Sequence, residues 1–166
     1  MKNRIPPSFV ILLLPLLLVG CGYSSKPLYR QSISTVAVPV FSNKTYRREW
    51  EMRLTEALDK QIESRTPYKI ADKSTADSVI TGTIVDIHED VLTRRTGFNL
   101  PRETQLTVVI DFVWKDARSG RIIVERKNFN RSATEIPQTG ERVTDAEQSA
   151  VERLAAAIVD QLQTDW

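Results

Sequence analysis

The chain has 166 residues, with 23 Lys and Arg against 21 Asp and Glu, one His and one Cys. That length suits one ordinary domain, and a solitary Cys excludes an internal disulfide framework. Lys2 and Arg4 fall within the first twenty residues, which hold no acid. The other 146 residues therefore carry 21 charges of each sign, which leaves no global field for nucleic acid.

Met1-Lys2-Asn3-Arg4 is basic, and residues 8–19 are uncharged and rich in Leu. A short basic region before an apolar run of this length is the pattern of an export signal, too short to span a bilayer comfortably. The run ends in Leu18-Val19-Gly20-Cys21, which resembles the lipobox of bacterial lipoproteins. Residues 1–20 are thus expected to be a lipoprotein signal peptide, with Cys21 the acylated N-terminus. One buried acyl chain holds a protein only marginally, at about 0.8 kcal/mol per CH₂. Lipoproteins of this type carry three, a palmitate among them, and Gly22 rather than Asp after the Cys favours the outer membrane. With Cys21 acylated, no thiol remains for catalysis or metal binding.

Residues 21–32 read as the acylated N-terminus and a polar tether, and residues 33–166 as a single domain. Residues 33–41 alternate as a strand, with Val36, Val38 and Val40 on one face; Pro39 places it at an edge or a bulge. Residues 46–65 follow as an amphipathic helix burying Trp50, Leu54, Ala57, Leu58 and Ile62, stopped by Thr66-Pro67. Residues 68–71 are a short extended piece. A longer strand covers 78–92, its apolar parity switching near a bulge expected at Gly82. In 104–114, Leu106, Val108, Ile110, Phe112 and Trp114 alternate strictly. Residues 116–120 form a turn, and 121–131 return as the partner strand. The last helix spans 145–163, with Thr144 and Glu147 as a capping box and an Ala-rich buried stripe.

The order β-α-β-β-β-α predicts an α+β fold, two helices packed on one four-stranded mixed sheet. Counting directions puts the tether and the 116–120 turn at one end. The connections 42–46, 93–103 and 132–143 fall at the other.

Little in this chain resembles a reaction centre. His88 shares a strand face with Asp86 and Asp90, but residues two apart on a flat strand diverge, so the pattern reads as a solvated face. No nucleophile elbow and no Gly-rich phosphate loop are present, and the carboxylates lie on helix exteriors. The expectation is a protein that is not an enzyme and uses no cofactor or metal. The far-end connections are more informative. Arg94, Arg95 and Arg102 charge the 93–103 loop around Phe98. Lys44, Arg47 and Arg48 flank the first helix, and Arg131 and Arg142 the last connection. Together they offer bidentate partners for the phosphates of a glycolipid. The competing reading is that loops are charged because they are wet, and Glu89, Asp90, Glu103, Glu135 and Glu141 partly neutralise the cluster.

Several segments in order resemble one family. Cys21-Gly22-Tyr23 follows the signal at once. Residues 35–41 (TVAVPVF), 43–45 (NKT) and 54–58 (LTEAL) come next, then Ala76-Asp77, 81–84 (TGTI), the hairpin and the Ala-rich helix. Together they are similar to the lipopolysaccharide-assembly lipoprotein family LptE. The resemblance implies an outer-membrane lipoprotein that plugs and helps assemble the β-barrel LptD and contacts lipopolysaccharide. Its partners would be LptD, lipopolysaccharide and, through its acyl chains, the outer membrane, with the domain on the periplasmic side or in the barrel lumen. The runner-up is an activator lipoprotein of a peptidoglycan synthase, LpoB-like with a TolB-N-like domain. Those usually carry a long tether, whereas this one reaches roughly 35 Å fully extended.

Overall fold

The computed structural model describes residues 27–94, 101–135 and 143–163. The signal peptide, Cys21, Arg95, Phe98 and Arg142 lie outside them. The elements are β1 (Thr35–Ala37), β2 (Ser42–Asn43), α1 (Trp50–Arg65), β3 (Lys69–Ile70), β4 (Ser78–Arg94), β5 (Pro101–Asp116), β6 (Ile122–Glu135) and α2 (Val143–Asp160).

The two-helix α+β plan holds, but the mixed sheet has six strands rather than four, in the order β3-β1-β4-β5-β6 with β2 also on β4. The difference arises at Pro39, which cannot donate to a ladder. The expected strand 33–41 ends there as β1, and β2 forms in the expected connection 42–46; both run parallel to β4, with Val36 opposite Ser78 and Ser42 opposite Thr83. Six steps of chain thus match five of β4, so Pro39 sits in a bulge-like interruption. The edge belongs instead to β3, the expected extended piece, which pairs parallel to β1.

On β5 the expected alternation is complete: Leu106, Val108, Ile110, Phe112 and Trp114 are all buried against the helices. On β4 the parity does switch, from Ile80 and Ile84 to Ile87, but at Val85 and not at Gly82. Gly82 pairs regularly with Phe112. Its role is close approach: a Cβ there would lie within 3.0 Å of three carbons of the Phe41 ring.

Helix α1 begins at Trp50, not near Tyr46, because Asn43 organises the preceding loop. Its Oδ1 accepts from the Thr45 backbone and hydroxyl, both at 2.8 Å, and its Nδ2 donates to the Arg47 carbonyl and to Glu51, both at 2.7 Å. The bond from Asn43 holds the Glu51 carboxyl below its ordinary pKa. Such local bonds compete with helix geometry. Glu49 closes the loop in the left-handed region at φ 72°. At the other end the backbone and hydroxyl of Thr66 both donate to the Ile62 carbonyl, and Pro67 follows.

Helix α2 starts at Val143, ahead of the expected cap residue Thr144, and Glu147 is committed elsewhere, to Arg53 of α1 at 3.0 Å. The helices run side by side, and Arg65 meets Asp160 at 2.7 Å near their other ends.

The end where the chain enters is tied down. Tyr29 packs edge-on to Tyr68, whose hydroxyl accepts from the Arg30 backbone at 2.9 Å. Asp77 Oδ2 accepts from the Ser34 and Thr35 backbones and the Thr35 hydroxyl, each at 3.0 Å, and the Asp77 backbone donates back to that hydroxyl at 2.9 Å. These bonds, led by Ser34, hold the Asp77 carboxyl below its ordinary pKa. Arg118 of the 116–120 turn pairs with the same carboxylate. Within that turn Gly120 takes φ 70°, and Asp116 accepts from the Arg118 and Ser119 backbones.

Candidate functional site

The far end of the sheet is an arm made by β4 and β5. The register sets Thr93 opposite Glu103 and Arg94 opposite Pro101, so the backbones of Arg94 and Arg102 stand together at its tip. Arg95 and Phe98 lie beyond the described residues.

The other expected cations are not brought to this tip. The Lys44 backbone donates to the Ile84 carbonyl at 3.0 Å. Ile84 to Arg94 is ten residues of strand, roughly 30 Å. Arg47 reaches only as far as Glu89, at 3.8 Å. Lys44 and Arg48 are exposed on the Asn43-organised loop. The counting of directions placed 42–46 at the far end because it took 33–41 as one full-length strand. Once Pro39 shortens that strand, its connection stops halfway up β4. The charge therefore divides into two groups, one at the tip and one beside the middle of the arm.

Apolar residues accompany both groups, and sequence reasoning missed them as surface. Val91 and Leu92 are exposed on the arm, and Tyr46 and Met52 are exposed around the start of α1. Val91 has the same parity along β4 as the buried Ile87. It is exposed, next to the register shift between Val91 and Thr93. The Asn43-Lys44-Thr45 turn was the available signal for Tyr46, since an Asx turn there displaces the helix start.

His88 lies between its two carboxylates rather than diverging from them. Nδ1 is 2.9 Å from Asp86 and Nε2 is 3.7 Å from Asp90. Both ring nitrogens face carboxylate oxygens, and all three side chains are exposed to water. Among the described residues no group of three or more His, Cys, Asp or Glu is arranged to hold a metal ion. No helix among them is long and apolar enough to cross a membrane.

The same architecture occurs in solved structures of low identity. The hypothetical protein CT253 from Chlamydia trachomatis is 10% identical with a TM-score of 0.56, covering 78% of this chain and 95% of its own. The PelC dodecamer of Paraburkholderia phytofirmans is 17% identical with a TM-score of 0.55, covering 85% and 96%. Uncharacterized lipoprotein B of Nitrosomonas europaea is 11% identical with a TM-score of 0.53, covering 83% and 90%. No curated protein matches the chain. These likenesses define the class of fold, a two-layer α+β domain that also occurs in a protein described as a lipoprotein.

Within that class the chain is specific. Residues 33–166 match the family described as LptE, Lipopolysaccharide-assembly, and the chain belongs to that family. It is a family of non-enzymatic lipoproteins associated with LptD and lipopolysaccharide in lipopolysaccharide transport.

Proposed function

We propose that this chain is an acylated outer-membrane lipoprotein that plugs and helps assemble an LptD β-barrel and contacts lipopolysaccharide with the far end of its β4–β5 arm. Family membership over residues 33–166 is the observation that carries this reading. The fold supports it. The chain enters at Tyr29 and Arg30, beside the 116–120 turn, while Arg94 and Arg102 stand at the opposite end of the longest strands. A domain anchored through Cys21 would therefore lead with the 93–103 loop. Arg94, Arg95 and Arg102 supply charge there for lipid phosphates, and Phe98 an apolar tip.

The test is purification of the full chain from native membranes in mild detergent. A large β-barrel should co-purify, and a peptidoglycan synthase in its place would overturn the reading in favour of the activator class. Cys21→Ser should abolish metabolic labelling by a clickable fatty acid. The triple exchange of Arg94, Arg95 and Arg102 to Glu should weaken lipopolysaccharide binding at low salt, where attraction is least screened. Wild-type binding by that variant would remove the loop from lipid contact. Barrel capture is scored separately, because filling a lumen by shape and binding its cargo are distinct tasks.

A further inference from the structure

Arg131 stands where the pattern of β6 asks for an apolar side chain. Its cross-strand partner is Val108, and its neighbours on the same face are Phe129 and Ala133, opposite Ile110 and Leu106. Val108 and Ala133 are buried beneath the helices, yet between them the sheet presents a guanidinium. Sequences break their own pattern chiefly at functional positions. The Arg131 side chain is exposed, but it is held. Its Cζ lies 4.8 Å from the centroid of the Phe129 ring, and Nη1 donates to the Asn130 carbonyl at 2.7 Å.

Across from it, Arg153 of α2 lines the same groove, an opening of about 490 Å³ between the helix and the edge of β6. Ala156 and Ala157 form the helix side of this groove, so nothing bulky fills it. The residues one turn from Arg153 are Ser149, Ala150, Ala156 and Ala157, none of them acidic. The one carboxylate in the groove, Asp160, is already paired with Arg65 at 2.7 Å. Among the described residues neither Arg131 nor Arg153 has a carboxylate within 4.0 Å. Two cations lining one groove whose single carboxylate, Asp160, is paired with Arg65 repel each other, and an anion between them reverses the sign of that interaction. Guanidinium forks match phosphate oxygens two at a time.

We propose that the groove between β6 and α2 is a phosphate-binding site in which Arg131 and Arg153 grip one phosphate group from its two walls. The ligand is a phosphate ester, carried on a lipid headgroup or free in solution. The site stands on the groove itself. Only the lipid source of its phosphate rests on the function proposed above.

The test reads arginine accessibility in the full chain in a neutral detergent. Phenylglyoxal modification is followed peptide by peptide by mass spectrometry, with exposed Arg121 of the 116–120 turn as internal reference. The probes are inorganic phosphate, purified lipopolysaccharide, and the same lipopolysaccharide after chemical dephosphorylation. At about ten times its dissociation constant, a phosphorylated probe should slow modification of Arg131 and Arg153 about tenfold and leave Arg121 unchanged. The dephosphorylated lipid should protect neither. Protection by inorganic phosphate but not by lipopolysaccharide keeps the site and removes its lipid source. Lipopolysaccharide that binds the chain while Arg131 and Arg153 react as fast as Arg121 overturns the site and leaves the broader reading standing. The double variant Arg131→Gln, Arg153→Gln should keep its melting temperature and lose phosphate retention about tenfold. Unchanged retention would equally overturn the site.

Discussion

The ring of Phe41 lies over the backbone of Gly82, in the space that any side chain at position 82 would occupy. Phe41 is buried, as are Ile80 and Ile84 on either side of the glycine along the same face. The Phe41 backbone is also fixed, donating to the Thr55 hydroxyl of α1 at 3.2 Å. Gly82→Ala should therefore destabilise the domain by about 1–3 kcal/mol through overpacking. Adding Phe41→Ala vacates the ring, and the double variant should lose less than the two single losses together. Denaturant unfolding of a secreted form lacking the lipobox measures the cycle. Strict additivity would mean that the ring and the glycine do not interact.

Thr35 and Asp77 exchange hydrogen bonds through both backbone and side chains, joining the start of β1 to the start of β4. Thr35→Val keeps the shape and removes the hydroxyl that serves Asp77 as donor and acceptor. A loss of about 1–2 kcal/mol is expected. The Asp77 pKa is depressed in the fold, so its contribution is fully present above the ordinary carboxylate range and is lost as pH falls through the depressed value. Asp77→Asn should accordingly narrow its stability difference from wild type in acid. Denaturation midpoints across the acidic range would show a constant difference if the carboxylate played no part.

Asp59 behaves in the opposite sense. Burial, with Glu63 and Glu56 adding repulsion, pushes its carboxyl up to about 6, and its Oδ1 is buried without a hydrogen-bond partner. Because the folded pKa lies above the unfolded one, the penalty is absent below about pH 4, grows to about pH 6, and is complete above it. Asp59→Asn should raise stability at neutral pH by about 1 kcal/mol, a figure discounted for partial solvent access. The gain should vanish in acid, which thermal melts at two pH values would show. A gain of equal size at both would point to packing rather than charge.

Phe112→Ala should cost about 3–5 kcal/mol, since the ring is buried and meets Phe129 edge-on at 5.5 Å between centroids. Its neighbour Asp111 faces the other side of the sheet but is not idle. Its Oδ1 accepts from the Asn128 backbone at 2.8 Å, at the point where Asn128 takes φ 51°. Asp111→Ala should therefore cost about 1 kcal/mol, where alternation alone predicts almost nothing. Chemical denaturation separates the two, and equal losses would mean that the register of β5 is wrong.

Elements governed by local period were legible in the chain: the alternation of β5, the buried stripe of α1 and the Gly120 turn. Features set by a contact distant in sequence were not. Gly82 reads as a bulge until Phe41, forty-one residues earlier, is seen against it. The start of α1 depends on which groups the Asn43 side chain selects. The division of the basic residues followed from one proline, because halving the first strand moved its connection from the arm's tip to its middle. In the sequence Arg131 reads only as part of a loop-flanking cluster. Its inward parity follows from a β6 that continues to Glu135.

β6 is the outermost strand of the described sheet on its side, and its extra residues at the two register shifts against β5 lie beside Asn128 and Ile123. Each shift turns the row of outward amides and carbonyls out of line, and the charged residues Glu125, Arg126 and Lys127 stand between them, Lys127 3.8 Å from Glu125. A foreign strand laid along this margin would lose its ladder at each kink and meet charged side chains in between. In the barrel lumen proposed above, such a margin would keep the domain from zipping into the wall, and any hold along it would rest on side chains that can release.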